Sequence, residues 1–194
     1  MIETNRLILR AFESTEKDIA ALYEILADEE VNTYLPWFPL KSQKEALDFY
    51  HERIAKRNCS TEAGFYFAIC FKEDNRPIGY VTASGEKNHD FGYGVRKDFW
   101  NRGVTTEAAA AVIDFLRNQG WPYITATHDI NNPASGAVMK KLGLTYRYSY
   151  KEQWQPKNKQ VTFRMYQLDF DEKNDTYQGY WEQYPEHFIE KGIE

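Results

Sequence analysis

Cysteine is scarce in this sequence, and it contains neither a long apolar run nor a segment that resembles a leader. Cys59 and Cys70 are too few to staple a chain of this size, and neither lies in a Cys/His cluster with metal-ligand spacing. Both are interpreted as ordinary thiols. The histidines are also scattered, at His51, His89, His128 and His187, so we expect no metal ion.

The opening residues MIETNRLILRAF contain no basic segment followed by an apolar region and a small-residue cleavage site. No apolar run approaches the roughly 20 residues that cross a bilayer. We therefore expect a cytoplasmic protein with no membrane partner.

Positive charge is in deficit as well, because 29 acidic residues outnumber 24 Lys and Arg and give a formal net charge of −5. Proteins that bind nucleic acid broadly rely on an excess of Lys and Arg over one face, so we expect no nucleic acid partner. Arg96, Lys97 and Arg102 nevertheless stand close together. This segment offers a polyanionic ligand its most favourable field, although the same charges suit a solvated loop equally well.

The residues that are abundant indicate a folded domain of mixed α/β class. The chain has 194 residues, of which 42% are hydrophobic and 16% aromatic, enough for a substantial core. Apolar periodicity predicts a strand, two helices, an antiparallel meander, a helix, a strand, a helix and two strands. Ser14, Ser42 and Asn132 are the predicted N-caps of the first, second and fourth helices. We assign residues 1–170 to one domain and residues 171–194 to a tail that forms a closing helix packed on it.

One segment joins a glycine-broken strand, a basic loop and a strongly amphipathic helix. It begins at Phe91 and reads FGYGVRKDFWNRGVTTEAAAAVIDFL. The first amides of a helix have no helical partner and the helix dipole adds partial positive charge, so this junction can bind phosphate. Gly103 lets the backbone approach a ligand closely. Many helices begin with glycine and bind nothing, so the pattern alone leaves both interpretations open.

The motif WNRGVTTEA resembles the coenzyme A-binding signature of the GNAT N-acetyltransferase superfamily, and in particular its ribosomal-protein branch of RimJ/RimL type. Further motifs occur in the order of that branch, over nearly the whole chain to Leu168: ETNRLILRAF, TYLPWFP, IGYVTA, FGYGV, NNPASGAVMKKLGL and FRMYQL. The resemblance implies an α/β (α+β) fold with a mostly antiparallel central sheet of about six to seven strands, about four flanking helices and splayed strands at the cofactor site. It also implies an acyltransferase that moves acetyl from acetyl-coenzyme A to an amine.

The resemblance assigns the loop whose amides hold the cofactor pyrophosphate. Its positions correspond here to Asn101, Arg102, Gly103, Val104, Thr105 and Thr106. Thr105 departs from the family pattern, which usually has Gly or Ala at that place, and its branched side chain narrows the freedom of the loop.

Further cofactor contacts follow from the same resemblance. The strand Tyr93, Gly94 and Val95 corresponds to one whose unpaired amides take the pantetheine and the acetyl carbonyl. Asn132 and Ser135 match positions beside the cofactor arm and its sulfur, although helix capping alone also accounts for both.

Direct transfer requires a neutral amine and a proton for the departing thiolate. Many of these enzymes use a Tyr where this chain has Met139, and Met cannot donate a proton, so Ser135 is the candidate general acid. Asp90 is the candidate base, and Glu86 and His89 also qualify, although all three suit a polar turn. A covalent cysteine route is not favoured, because neither cysteine has a recognisable base beside it.

Three functions remain open at this point. The acceptor is either the N-terminal amine of a protein, such as a ribosomal protein, or a small amine such as a polyamine, an amino acid or an antibiotic; the third function is an acyl-coenzyme A sensor without turnover. Tyr34, Trp37 and Phe38 either line an acceptor pocket or simply pack on the core. A monomer and a homodimer both fit the sequence.

Overall fold

A computed structural model describes residues 1–58, 60–171 and 175–193 of the chain. Cys59 lies outside these residues, as do four positions of the predicted tail, residues 172–174 and 194. The helices are α1 Glu16–Ala27, α2 Glu29–Asn32, α3 Gln43–Phe49, α4 Val104–Asn118, α5 Pro133–Lys141 and α6 Gly179–Gln183. A wider, π-helical turn, Tyr50–Ala55, continues α3.

Helix caps define the starts of these elements. Ser42 and Asn132 accept hydrogen bonds from backbone amides three residues later, as predicted. The prediction of Ser14 as the cap of α1 is wrong, because the Thr15 side chain accepts the Asp18 amide and the helix begins one residue later.

Nine strands form two antiparallel sheets within the described residues. The strands are β1 Ile2–Glu3, β2 Leu7–Ala11, β3 Gly64–Phe71, β4 Pro77–Ser84, β5 Phe91–Val95, β6 Tyr123–Asp129, β7 Thr145–Trp154, β8 Lys159–Asp169 and β9 His187–Phe188. The first sheet has the order β1-β2-β3-β4-β5 and the second the order β6-β8-β7-β9. The α/β class and the predicted seven strands are confirmed as β2 to β8, and two short edge strands extend the sheets.

Each sheet buries its apolar side chains against helices. On one face, α4 inserts Val104, Ala108, Val112 and Leu116 into the core. On the other face of the first sheet, α1 and α3 pack over Tyr66, Ala68, Cys70 and Tyr80. Burial raises the pKa of the Cys70 thiol to about 11, so this cysteine stays protonated and inert at neutral pH.

The segment that follows residue 175 covers the outer face of the second sheet. The rings of Tyr180 and Tyr184 stack on Tyr150, with centroids 5.2 and 4.7 Å apart. Beyond the short α6, β9 pairs with β7 at Ser149 and Tyr150. The helix predicted for the tail therefore accounts only for α6, and the strand was missed because its two residues offer no alternation to detect.

Candidate active site

Among the residues that the structure describes, the two sheets are joined by a single backbone bridge, and a cavity opens where they part. Asp90, just before β5, forms an isolated parallel bridge with Thr125 of β6. The Thr125 amide donates to the His89 carbonyl at 3.2 Å, and its hydroxyl donates to the Asn88 carbonyl at 2.7 Å. Beyond this point β5 and β6 diverge, which confirms the predicted splayed strands.

The cavity at this divergence has a volume of about 750 Å³. Its walls come from the loop after α2, the turn after α3, the strands β4, β5 and β6, and α5. The lining includes Tyr34, Trp37, Arg53, Arg57, Thr82, Glu86, Asp90, Gly92, Tyr93, Gly94, His128, Asp129, Asn132, Ser135 and Met139. The predicted aromatic wall is therefore present in Tyr34 and Trp37, whereas Phe38 is 56% exposed and does not line the cavity.

The two glycines of β5 leave that strand bare toward the cavity. A Cβ at Gly94 would lie 2.7 Å from the Tyr80 ring, so this glycine is required by close packing. A Cβ at Gly92 would meet only the Thr82 methyl, at 3.8 Å, so the space above this residue is open. The result is a strip of exposed backbone beside Asp90.

Asp90 is the one of the three candidate bases that combines burial with access to the cavity. Burial raises the pKa of its carboxyl to about 6; the nearby Arg57 lowers it, and Glu86 adds to the rise. The side chain of Glu86 is exposed at the rim. The His89 ring packs against Trp121 and Tyr123 outside the cavity lining, with centroid distances of 4.7 and 5.0 Å.

The Asn88 side chain links the backbone at Asp90 to Tyr180 through two hydrogen bonds. The Asn88 side-chain carbonyl accepts the Asp90 amide at 3.2 Å, and its NH₂ group donates to the Tyr180 hydroxyl at 3.1 Å. Tyr180 belongs to α6, so the chain after residue 175 contacts the turn that carries Asp90. Motif reading of the sequence did not identify this support, because the two residues are 92 positions apart.

Ser135 lies across the divergence from Asp90, at the start of α5, and contacts a tyrosine of β5. The Tyr93 hydroxyl donates to the Ser135 carbonyl at 2.9 Å and lies 3.3 Å from the Ser135 hydroxyl. Burial raises the pKa of Tyr93, and the hydrogen bond to Ser135 opposes that rise. Sequence reasoning assigned Tyr93 through its backbone and missed its hydroxyl. Met139 is buried on the same helix, at 2% exposure.

His128 of β6 is a further cavity residue that sequence reasoning did not single out. Its Nδ1 lies 2.8 Å from the Asp129 carbonyl, and its buried Nε2 has no hydrogen-bond partner among the described residues. Burial lowers the pKa of His128, so the ring is neutral at pH 7. A Cβ at Gly136 would lie 2.7 Å from Nε2, so the helix can approach His128 only through glycine.

The loop of residues 101–106 leads into α4 with open backbone amides. Gly103 has a φ of 72° and Asn101 a φ of 59°, both in the left-handed region. No side chain caps the helix, and the structure gives no acceptor within the described residues to the amides of residues 101–106. Thr105 is accommodated in the first turn of α4.

The N-terminal segment holds this loop in place. The Arg6 guanidinium donates twice to the Arg102 carbonyl, at 3.2 Å, and pairs with Glu107 at 2.7 Å. The Thr4 hydroxyl donates to the same carboxylate at 2.6 Å. The carbonyl of Arg102 is therefore turned toward Arg6, and the amides are left for a ligand.

The described residues contain neither a cluster of metal ligands nor a helix that could span a membrane. No three of the His, Cys, Asp and Glu side chains are grouped so that they could hold a metal ion. No helix there combines the length and the apolar character that a membrane span requires.

Comparison with known proteins adds a family and a fold. The family model of the acetyltransferase (GNAT) domain matches residues 6–145. An uncharacterized N-acetyltransferase, YnaD of Bacillus subtilis, is 28% identical over 147 residues, which cover 74% of this chain and 81% of YnaD.

Two solved structures share the fold at low sequence identity. One is RimL, a ribosomal L7/L12 α-N-protein acetyltransferase in complex with coenzyme A, with a TM-score of 0.74, 18% identity and coverage of 86% of this chain and 95% of RimL. The other is spermidine N-acetyltransferase of Vibrio cholerae with coenzyme A and spermine, with a TM-score of 0.70, 15% identity and coverage of 86% and 96%.

Proposed function

This chain belongs to the GNAT family of acetyltransferases, and from that premise we propose that it moves acetyl from acetyl-coenzyme A to a primary amine in the cavity beside Asp90. The observation that carries the proposal is the placement of two side chains that can transfer protons, a carboxylate and a hydroxyl, on opposite sides of one opening. Asp90 and Ser135 line the same cavity, one before β5 and the other on α5.

The residues of the donor side fit acetyl-coenzyme A. The amides of residues 101–106 have no acceptor among the described residues, the helix start is uncapped, and Arg102 forms no ion pair there. Anionic phosphate satisfies all three features at once. In this proposal residues 101–106 hold the pyrophosphate, and Tyr93, Gly94, Val95, Asn132 and Ser135 contact the pantetheine arm. The cosubstrate, when bound, supplies the acetyl group as a thioester.

Asp90 receives a proton from the acceptor amine. An amine with a pKa near that of lysine is mostly protonated at neutral pH and attacks only after losing that proton. Because burial raises the pKa of Asp90 to about 6, its carboxylate is ionised at pH 7 and is still a stronger base than an exposed Asp. The raised pKa therefore suits a general base.

Ser135 is the proton donor toward the position of the departing sulfur. Its hydroxyl lies 3.3 Å from the Tyr93 hydroxyl, which itself donates to the Ser135 carbonyl at 2.9 Å. The proton that Ser135 gives to the thiolate is restored from solvent through the open cavity. The Ser135 and Tyr93 hydroxyls thus take the place of a proton donor at position 139, where Met139 has no proton to give.

Two acceptor classes fit this proposal. Likeness to RimL favours the N-terminal amine of a protein, such as a ribosomal protein, and likeness to spermidine acetyltransferase favours a small amine. Every residue assigned here lies in residues 1–170, which we infer to be one domain. We infer that residues 171–194 support it, since Tyr180 bonds to Asn88.

A free-thiol release assay tests the proposal. Purified protein with acetyl-coenzyme A is offered peptides with different N-termini, amino acids and polyamines. We expect thiol release with at least one acceptor, and a mass increase of that acceptor by one acetyl group. Ser135→Ala is expected to slow the release about tenfold or more at saturating acetyl-coenzyme A, where a change in cofactor affinity does not limit the rate. Tight binding of acetyl-coenzyme A without thiol release from any acceptor would contradict the proposal and favour a sensor.

A further inference from the structure

The arginines of this protein divide into two groups according to whether a carboxylate neutralises them. Seven of the ten lie within 4.0 Å of an Asp or Glu side chain: Arg6, Arg10, Arg76, Arg96, Arg117, Arg147 and Arg164. The other three, Arg53, Arg57 and Arg102, form no such pair with the described residues. Arginine in a folded protein is normally paired when it is removed from water. Arg53 and Arg102 are exposed, so of these three only the half-buried Arg57 lacks a carboxylate partner that its burial calls for.

The three unpaired arginines lie at the two ends of the proposed reaction site. Arg102 lies on the loop assigned to the cofactor pyrophosphate. Arg53 and Arg57 line the cavity on the acceptor side. Arg53 is exposed and lies over the Trp37 ring, 4.9 Å from its centroid, so the ring partly compensates its charge. Arg57 is half-buried, and its Nη1 donates a hydrogen bond to the Thr82 hydroxyl at 2.7 Å.

This hydrogen bond positions Arg57 close to Asp90. Thr82 is the cross-strand partner of Gly92, and Asp90 precedes Gly92 by two residues. Side chains two residues apart on an extended chain point to the same face and are separated by about 7 Å. Between the guanidinium and the carboxylate lies the bare backbone at Gly92, where only the Thr82 methyl approaches. A cation and a base thus flank an open patch of small-molecule size.

The other carboxylates of the cavity lining differ in burial. Glu52, Glu62 and Glu86 have exposed side chains, so solvent screens them, whereas Asp129 is buried and lies 3.7 Å from the Lys159 ammonium. Inside the cavity, a second ammonium group next to Arg57 would meet like charge in a poorly solvated place. An acceptor with an oxyanion near its amine meets the opposite charge there, and a guanidinium binds carboxylate or phosphate through two parallel hydrogen bonds.

We propose that the acceptor is a small amine that carries an oxyanion, either carboxylate or phosphate, close to the amino group, and that Arg57 binds this oxyanion while Asp90 faces the amine. The inference rests on the proposed acetyl transfer and narrows its acceptor to amino-acid-like or amino-phosphate-like molecules. In this scheme Arg57 determines which acceptor is bound. Polyamines, and amines that carry no oxyanion, are therefore poor acceptors.

Matched acceptor pairs test this inference. The amino acids of proteins are compared with their carboxamides, and O-phosphoethanolamine with ethanolamine; spermidine and short peptides complete the panel. We expect the oxyanion member of at least one pair to have the higher kcat/KM, and the pair that responds distinguishes carboxylate from phosphate. In Arg57→Gln, the ratio of kcat/KM for the oxyanion member to that for its neutral partner is expected to fall at least about tenfold. Arg57→Lys keeps the charge and is expected to restore part of the ratio. Arg53→Gln, at the exposed rim, is the matched control and is expected to change the ratio less.

Failure of the inference can be separated from failure of acetyl transfer. Transfer that favours the neutral members, spermidine or peptides, or an Arg57→Gln variant with an unchanged ratio, would overturn the inference while the proposed function stands. If no acceptor is acetylated, the oxyanion and neutral members are titrated calorimetrically into the coenzyme A complex. Binding of an oxyanion member that Arg57→Gln weakens at least about tenfold upholds the inference without transfer. Absence of that difference overturns it together with the proposed function.

Discussion

The proposed phosphate loop and the proposed acceptor side of the cavity are built from different materials. The phosphate loop is one continuous stretch, residues 101–106, and offers backbone amides at the start of α4. The acceptor side is made of side chains from separate elements, among them Trp37, Arg57, Thr82 and Asp90. A backbone site tolerates changes of side chain as long as the chain keeps its path, whereas a side-chain site changes its chemistry with each substitution. We therefore expect the binding of the acetyl donor to be a general property of such a loop, and the choice of acceptor to be specific to this protein.

Removal of the candidate base is the strongest challenge to the acceptor half of this comparison. Asp90→Asn keeps the shape of the side chain and removes its ability to take a proton. We expect kcat/KM for the acceptor to fall about 100-fold to 1,000-fold, with little change in the affinity for coenzyme A. The exposed Glu86→Gln is the control and should retain most of the activity. Equal losses of activity in both variants would mean that the loss comes from the removal of negative charge near the cavity and not from the removal of a specific base, which would contradict the assignment of Asp90.

The same carboxylate predicts a pH dependence in the wild type. Burial raises the pKa of Asp90 to about 6, and in the proposed mechanism only the ionised form can take the proton. Activity should therefore be lost as the pH falls through about 6, and Asp90→Asn should lack this acidic limb. A kcat/KM profile measured between about pH 5 and 8 tests the assignment.

The donor half is challenged by placing negative charge in the loop. Gly103→Glu adds a carboxylate where the proposal puts pyrophosphate, and we expect coenzyme A affinity to fall roughly tenfold to 100-fold. Gly103→Ala is the control that separates the effect of charge from that of backbone strain. The φ of 72° at this position costs a residue with a Cβ about 1–2 kcal/mol. The added Cβ would contact only the end of the Arg6 side chain, at 3.7 Å. Full affinity in the Glu variant would mean that the phosphate lies elsewhere.

The smallest effect is expected at the boundary between the two halves. Gly92→Ala adds a methyl group to the bare strip of β5, and the nearest atom is 3.8 Å away, so the fold should not change. We expect the KM for the acceptor to rise about threefold to tenfold, while the affinity for coenzyme A changes less. A larger change in coenzyme A affinity would show that the donor, and not the acceptor, occupies this strip.

The contrast between the two halves also explains what could be predicted from the sequence. The strand, loop and helix of the donor side are contiguous, so glycine positions and apolar periodicity were enough to predict them. The contact of Tyr93 with Ser135 spans 42 residues, and that of Arg57 with Thr82 spans 25. Such contacts depend on the angle between sheets and on side-chain rotamers, which no local pattern records.

The choice among the candidate bases shows the same limit at a single turn. Glu86, His89 and Asp90 are near neighbours and chemically interchangeable on paper. The bridge to Thr125 directs Asp90 to the cavity, while aromatic packing draws His89 away from it. The π-helical turn at Tyr50–Ala55, which precedes Arg57, likewise has no composition that distinguishes it from the α-helix before it.

The lone bridge between Asp90 and Thr125 has a mechanical consequence. Asp90 directly precedes β5 of the first sheet, and Ser135 lies on α5, which follows β6 of the second sheet. Within the described residues, strand pairing joins the two sheets only at this bridge. The width of the opening between Asp90 and Ser135 therefore depends on the angle that this bridge sets between the two sheets. A substitution at Thr125, which touches neither reactant, can alter the distance over which both protons travel.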